Sequence, residues 1–317
     1  MKFMKKSLAL LFAVVLVLSL SATAFAEGYV DVNSVSIVKN YVSTNGSTPA
    51  ASFTVQQVGD GVVKDGDATS APALGTITGV SYTAGETGTK NIVVNLPTYE
   101  KVGVYEYTLQ EVAGTVAGVT YKTETFVLKV SVTNAADGTL VRTPALYTDG
   151  ADETKNDTIK NTYEGRDLSI SKTVTGAYGD KTKYFTFTVT LTGETGLTYP
   201  ETFAVSGGSN TSNPTTIALG TATEFLLKDG DTVKIENLPV GVKYEVTETA
   251  VDGYTTTKTG DSGTITTGVD PTAAFTNEKD GTPDTGISLD SLPYVVILVV
   301  VLGGAAVLFL RKRHAED

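Results

Sequence analysis

The chain has no cysteine and no tryptophan, and its one histidine, His314, stands close to the C-terminus. Without cysteine there is no disulfide, no thiolate zinc site and no thiol nucleophile. With the single histidine at the end of the chain, Ser-His-Asp and Cys-His catalysis are excluded from its body. Basic residues are also scarce: 24 Lys and Arg face 35 Asp and Glu, for a net charge of −11. So acidic a chain is a poor partner for nucleic acid, and the charge chiefly favours solubility. Amphipathic helical periodicity is missing, and long apolar runs occur only at the two ends. No cofactor and no metal site is expected.

The ends carry addresses. Lys2, Lys5 and Lys6 precede an apolar run at 8–20, and Ala24-Phe25-Ala26 closes it with small residues where a signal peptidase reads. Residues 1–26 therefore read as a secretory signal peptide. At the other end Thr282-Pro283-Asp284-Thr285-Gly286 is followed by a polar spacer, an uncharged run at 292–310 and Arg311-Lys312-Arg313. That run is just long enough to cross a bilayer, and the basic cluster would hold its end in the cytoplasm. The arrangement resembles a cell-wall sorting signal of the LPxTG type, with Thr282 where Leu is usual. The resemblance implies that a sortase cleaves between Thr285 and Gly286 and passes the threonine carboxyl to an amine, anchoring the protein to peptidoglycan.

Between the ends, Thr, Val, Gly and Tyr alternate in short runs punctuated by Gly, Asn-Gly and Asp-Gly, the pattern of β-sandwiches. Five blocks recur in one order. Val35-Ser36-Ile37-Val38-Lys39 matches Leu168-Ser169-Ile170-Ser171-Lys172, and Phe53-Thr54-Val55 matches Phe187-Thr188-Val189. Asn95-Leu96-Pro97 matches Asn237-Leu238-Pro239, and Tyr107-Thr108-Leu109-Gln110-Glu111 matches Tyr244-Glu245-Val246-Thr247-Glu248. Ile159-Lys160-Asn161 matches Phe275-Thr276-Asn277. The chain is thus a duplicated domain with its joint near 164–167. We expect two tandem immunoglobulin-like sandwiches, 27–164 and 165–280, followed by the sorting signal at 281–317. The Lys-Asp-Gly-Asp stretches at 64–67 and 228–231 fall outside this register. They read as solvated hairpin turns rather than calcium ligands.

Strand alternation assigns faces. Lys39 continues the stripe of Val35 and Ile37, Glu111 that of Tyr107 and Leu109, and Asn161 that of Ile159 and Tyr163. Lys172, Glu248 and Asn277 repeat this in the second domain, so each domain points one Lys, one Glu and one Asn inward. An unpaired buried charge costs several kcal/mol, so these residues must compensate one another. A buried ion pair with a hydrogen-bonded Asn would suffice. The same trio appearing twice, in the same order, favours a covalent outcome: an isopeptide bond from the Lys amine to the Asn side chain. Burial would disfavour the charged forms of Lys and Glu, leaving a nucleophilic amine and an acid able to polarise the amide and shuttle protons.

The layout resembles the isopeptide-forming pilin domains of Gram-positive bacteria, especially two-domain major pilins of streptococcal type and collagen-adhesin B-type repeats. The resemblance implies bonds Lys39–Asn161 and Lys172–Asn277, with Glu111 and Glu248 as promoting acids that act once per molecule. It further implies a secreted, wall-anchored shaft subunit joined by sortase to other copies of itself, with minor pilins and host receptors as further partners. A monomeric wall-anchored adhesin built from the same modules is the alternative. A hydrolase using paired carboxylates is disfavoured, because the trios account for the inward carboxylates. Lys155, in a polar turn-like stretch before the Asn161 strand, is the expected acceptor amine for polymerisation, with Lys160 its competitor.

Overall fold

The structure, a computed structural model, describes residues 31–148 and 154–281 and a helix, α1, over Leu292–Arg313. The expected signal peptide and the sorting motif, Thr282, Pro283, Asp284, Thr285 and Gly286, lie outside the described residues. Side chains of α1 are described at 294–305. Among the described residues no helix is long and apolar enough to cross a membrane, and the expected span at 292–310 extends past the described side chains.

The body is all β. Its strands, numbered in chain order, form two consecutive sandwiches. In the first, β1 (Ser34–Asn45) lies between β7 (Gly88–Asn95) and β12 (Thr158–Thr175). Facing them are β8 (Gly103–Glu111), β10 (Thr125–Asn134) and β11 (Leu140–Thr148). Alternation drives the packing: along β8, Tyr105, Tyr107, Leu109 and Glu111 turn inward while their neighbours do not. Tyr105, Tyr107 and Leu109 meet Ile37, Ile92, Val94, Leu128, Val130 and Ile159 in one apolar cluster. In the second sandwich β12 lies between β17 (Thr232–Pro239) and β21 (Thr272–Glu278). β13 (Phe185–Thr192), β16 (Thr223–Leu227) and β18 (Lys243–Glu248) face them. Phe187, Val189, Phe225, Ile235, Val246 and Phe275 belong to its cluster.

In both sandwiches the first strand runs parallel to and beside the last: β1 pairs with β12, and β12 with β21. The sequence pattern suggests a joint at 164–167, yet the backbone there does not leave the sheet. β12 serves as last strand of one sandwich and first strand of the next. Inward residues run Ile159, Asn161, Tyr163, Gly165 and then Leu168, Ile170, Lys172, Val174. The change of phase sits at a register shift between Arg166 and Leu168 against β17. A bulge adds one residue and so moves the inward set from odd to even positions.

The junction is braced from both sides. Asn237, at φ 57°, donates its side-chain amide to the Ser47 carbonyl (2.8 Å) and accepts from the Ser47 N–H (3.2 Å). A Cβ at Gly46 or Gly165 would sit 2.0 or 2.2 Å from the Asn237 Oδ1, so a side chain at either would have to displace the Asn237 amide from Ser47. On the other side Val116 and Thr198 form a parallel bridge, with the Thr198 N–H donating to the Thr115 carbonyl at 2.6 Å.

Candidate functional site

Two buried polar sites lie on the inward faces of these sandwiches, one in each. In the first, β1 supplies Lys39, β8 Glu111 and β12 Asn161. Lys39 and Asn161 are wholly buried and Glu111 is nearly so. The parallel register sets Lys39 opposite Ile159, which puts Asn161 two residues further along the neighbouring strand on the same face. Lys39 Nζ donates to Glu111 Oε1, and Asn161 Nδ2 donates to that same oxygen at 2.9 Å. Glu111 Oε2 accepts the backbone N–H of Lys122 at 2.8 Å. The Phe53 ring lies 4.3 Å from Lys39 Nζ, and the Tyr82 hydroxyl donates to the Lys39 carbonyl at 2.8 Å.

The second site repeats the offset. Lys172 on β12 stands opposite Phe275 on β21, with Asn277 two residues beyond. Lys172 Nζ donates to both oxygens of Glu248, at 3.1 and 2.9 Å, and Asn277 Nδ2 donates to Glu248 Oε1. Phe185 and Phe187 flank the ammonium at 4.3 and 5.7 Å.

Electrostatically the two lysines share one situation. Burial pushes the pKa of each down from its ordinary value, more than the hydrogen bond and charge of Glu111 or Glu248 raise it. Each can therefore give up a proton more readily than a solvated lysine. The amide oxygens Asn161 Oδ1 and Asn277 Oδ1 are buried with no hydrogen-bond partner among the described residues. A buried carbonyl left unpaired costs about 1–3 kcal/mol. Turning the amide by half a rotation would bring that oxygen to the glutamate, which could then donate only as the neutral acid. Amine, amide and a proton carrier thus stand within one hydrogen-bonded group, largely shielded from water. That is the equipment for acyl transfer from amide nitrogen to amine nitrogen.

The inward side chains were reachable from alternation alone. The Lys122 amide was not, since a backbone N–H leaves no mark in the sequence. The aromatic walls were half visible: Phe53 and Phe187 stand in repeated blocks, but repetition alone did not place them beside an ammonium. The two Lys-Asp-Gly-Asp stretches differ from the hairpin turns read from the sequence. Residues 64–66 belong to a strand, β4 (Val62–Gly66), paired with β8. Residues 228–231 turn the chain from β16 in one sheet to β17 in the other. Lys155 is exposed, but it is not in a free loop: it forms an isolated bridge with Tyr147 along the edge of β11. Lys160 is exposed on β12, on the face away from Asn161.

Comparison with known proteins follows the same division. Residues 35–164 match a family described as Spy0128-like isopeptide containing domain, and 166–279 match a domain of unknown function, DUF7601. A pilin of Streptococcus pyogenes serotype M1 is 30% identical over 326 residues, covering 93% of this chain and 95% of the relative. The pilus tip adhesin Cpa of Streptococcus pyogenes is 39% identical over 129 residues, 39% of this chain and 18% of the adhesin. The crystal structure of the major pilin from Streptococcus pyogenes superposes with a TM-score of 0.58 at 28% identity, covering 80% of this chain and all of that one.

Proposed function

The chain belongs to the pilins and is a structural subunit of a cell-surface pilus; on that premise we propose that it is a shaft subunit in which each sandwich closes its own covalent crosslink, Lys39 to Asn161 and Lys172 to Asn277. The observation that carries this reading is the convergence, twice, of a lysine amine and an asparagine amide on one glutamate oxygen.

The reaction balances within each trio. The lysine ammonium passes one proton to the glutamate carboxylate, leaving a neutral amine and a neutral acid. The amine Nζ forms a bond to the asparagine Cγ. The Cγ–Nδ2 bond breaks, and a second lysine proton, relayed by the glutamate, leaves with the amide nitrogen as ammonia. The products are a secondary amide, one ammonia and a glutamic acid that donates to the new carbonyl. No histidine, thiol or external reagent is needed, and the glutamate acts once per molecule.

Position explains the use of such bonds. Asn161 and Lys172 share β12, so the stretch 161–172 joins the two crosslinks in one strand. A load leaving toward Thr285 crosses from Lys172 to Asn277 without unzipping the second sandwich. The proposal extends to assembly: a sortase cleaves between Thr285 and Gly286 within the motif beginning Thr282-Pro283-Asp284. It joins Thr285 to Lys155 of another copy, and the last subunit to peptidoglycan, after 292–310 has held the chain in the membrane.

Two measurements test this. The intact mass of residues 27–280 should fall below the sequence mass by two ammonias, about 34 Da; a mass equal to the sequence value would remove the crosslinks from the reading. In cells with their sortase, Lys155→Arg should abolish the SDS-resistant ladder while monomer remains anchored. An unchanged ladder would move the acceptor to Lys160 or elsewhere.

A further inference from the structure

Asp231 is a buried acid that the crosslinking chemistry does not use, being only 9% exposed and lying outside both trios. Its carboxylate does not face solvent, as a turn residue's would. Asp231 Oδ2 accepts the Lys228 backbone N–H at 3.0 Å and the Ser209 hydroxyl at 2.9 Å. These two bonds close the 228–231 turn on itself and tie it to the loop that follows β14 (Phe203–Gly207).

What that turn touches gives it significance. The Lys172 N–H donates to the Asp231 carbonyl, and the Gly230 N–H donates to the Lys172 carbonyl, both at 3.0 Å. Asp229 Oδ1 accepts the Val174 N–H at 2.7 Å. The turn therefore extends the ladder between β12 and β17 past its last paired residues, Ser171 and Thr232, to the one peptide that bears the reacting lysine. On its other side β12 is held by β21, which brings Asn277. The two reacting groups are thus set against each other only if Lys172 is gripped from both sides. Resting on the crosslink reading, we propose that Asp231 is a positioning residue for the second crosslink, holding the turn that aims Lys172. Among the described residues the first site has no such turn and needs none: Lys39 lies inside the ladder, opposite Lys90 on β7 and Ile159 on β12, while residues 64–66 pair with β8.

Misplacing a reacting group by about 1 Å can cost on the order of 100-fold in rate. The full chain, made by cell-free synthesis in mild detergent, can be followed by intact mass after synthesis is stopped. Peptide mapping then assigns each ammonia loss to its domain. In Asp231→Ala the second crosslink should form about 10- to 100-fold more slowly than in the parent, with the first at the parent rate. Asp231→Asn, which keeps an acceptor oxygen, should restore the second to near the parent rate. Ser209→Ala removes one of the two bonds without touching the turn, so it should give an intermediate rate and covers the case in which Asp231→Ala misfolds. Unchanged second-site rates in Asp231→Ala or Ser209→Ala, or equal slowing of both sites, would overturn the assignment. If the parent itself loses no ammonia, the crosslink reading falls, and the role of Asp231 with it.

Discussion

The two buried trios, the proposed crosslink sites, use the same three residue types at the same register offset, yet they hold their acids differently. Glu111 spends one oxygen on the lysine and the asparagine together and fixes the other with the Lys122 backbone N–H. Glu248 gives both oxygens to Lys172 and shares one with Asn277. In the first site the acid is oriented by the fold before any proton moves. In the second its orientation depends on the lysine that the proposed reaction consumes, and a turn holds that lysine's peptide where a ladder strand flanks Lys39. Preorganisation can come from a ladder strand, a turn or a single backbone N–H, and this duplicated chain places all three around its trios.

The largest effect should come from deleting the acids. Glu111→Ala should leave only the second ammonia loss and Glu248→Ala only the first, because each acid serves its own sandwich. Losing a long-range covalent tie costs about 2–5 kcal/mol by analogy with disulfides, so both variants should melt lower and become trypsin-sensitive. The comparison sharpens here. Glu111→Ala also strands the Lys122 N–H, worth about 1–3 kcal/mol more if it stays buried. The first variant should therefore be the less stable of the two by thermal denaturation. Crosslinks that still form in either variant would mean that the acid is not the proton carrier.

Why the trios could be read from sequence while their supports could not is a matter of period. A strand reports the face of every side chain through alternation, so Lys39, Glu111, Asn161, Lys172, Glu248 and Asn277 announce themselves as polar residues on apolar stripes. The same arithmetic fails at Arg166 to Leu168, where a bulge lets one strand change phase and pass from sandwich to sandwich. From the pattern alone that phase change looks like a boundary between separate strands. Asp231 was misleading for a related reason. Lys-Asp-Gly-Asp is a turn by composition, and at 228–231 a turn it is, but composition does not say that this turn lies against Lys172. Asn237 likewise appears in a repeated Asn-Leu-Pro block. Its counterpart Asn95 bonds locally to Thr76 Oγ1, whereas Asn237 reaches across the junction to Ser47.

The smallest expected effect bears most directly on the difference between the sites. If the Lys122 N–H orients Glu111, then removing that single hydrogen should slow the first crosslink and leave the second alone. Replacing residue 122 by the α-hydroxy acid analogue of lysine exchanges N–H for an ester oxygen and keeps the side chain. Hydrogen bonds to charged groups contribute about 1.5–3 kcal/mol, but Glu111 retains Lys39 and Asn161 as partners, so only part of that should reach the rate. A slowing on the order of tenfold, about 1.4 kcal/mol, is expected in the first ammonia loss, read against the second as an internal standard. Lys122→Pro, which also lacks the N–H, should slow the same site by at least as much. Lys122→Ala, which keeps the N–H and removes only the exposed side chain, should leave both rates unchanged. A ratio of the two rates unchanged from the parent's in the ester variant would mean that Glu111 needs no support from the backbone, and that the two sites differ in geometry but not in how they work.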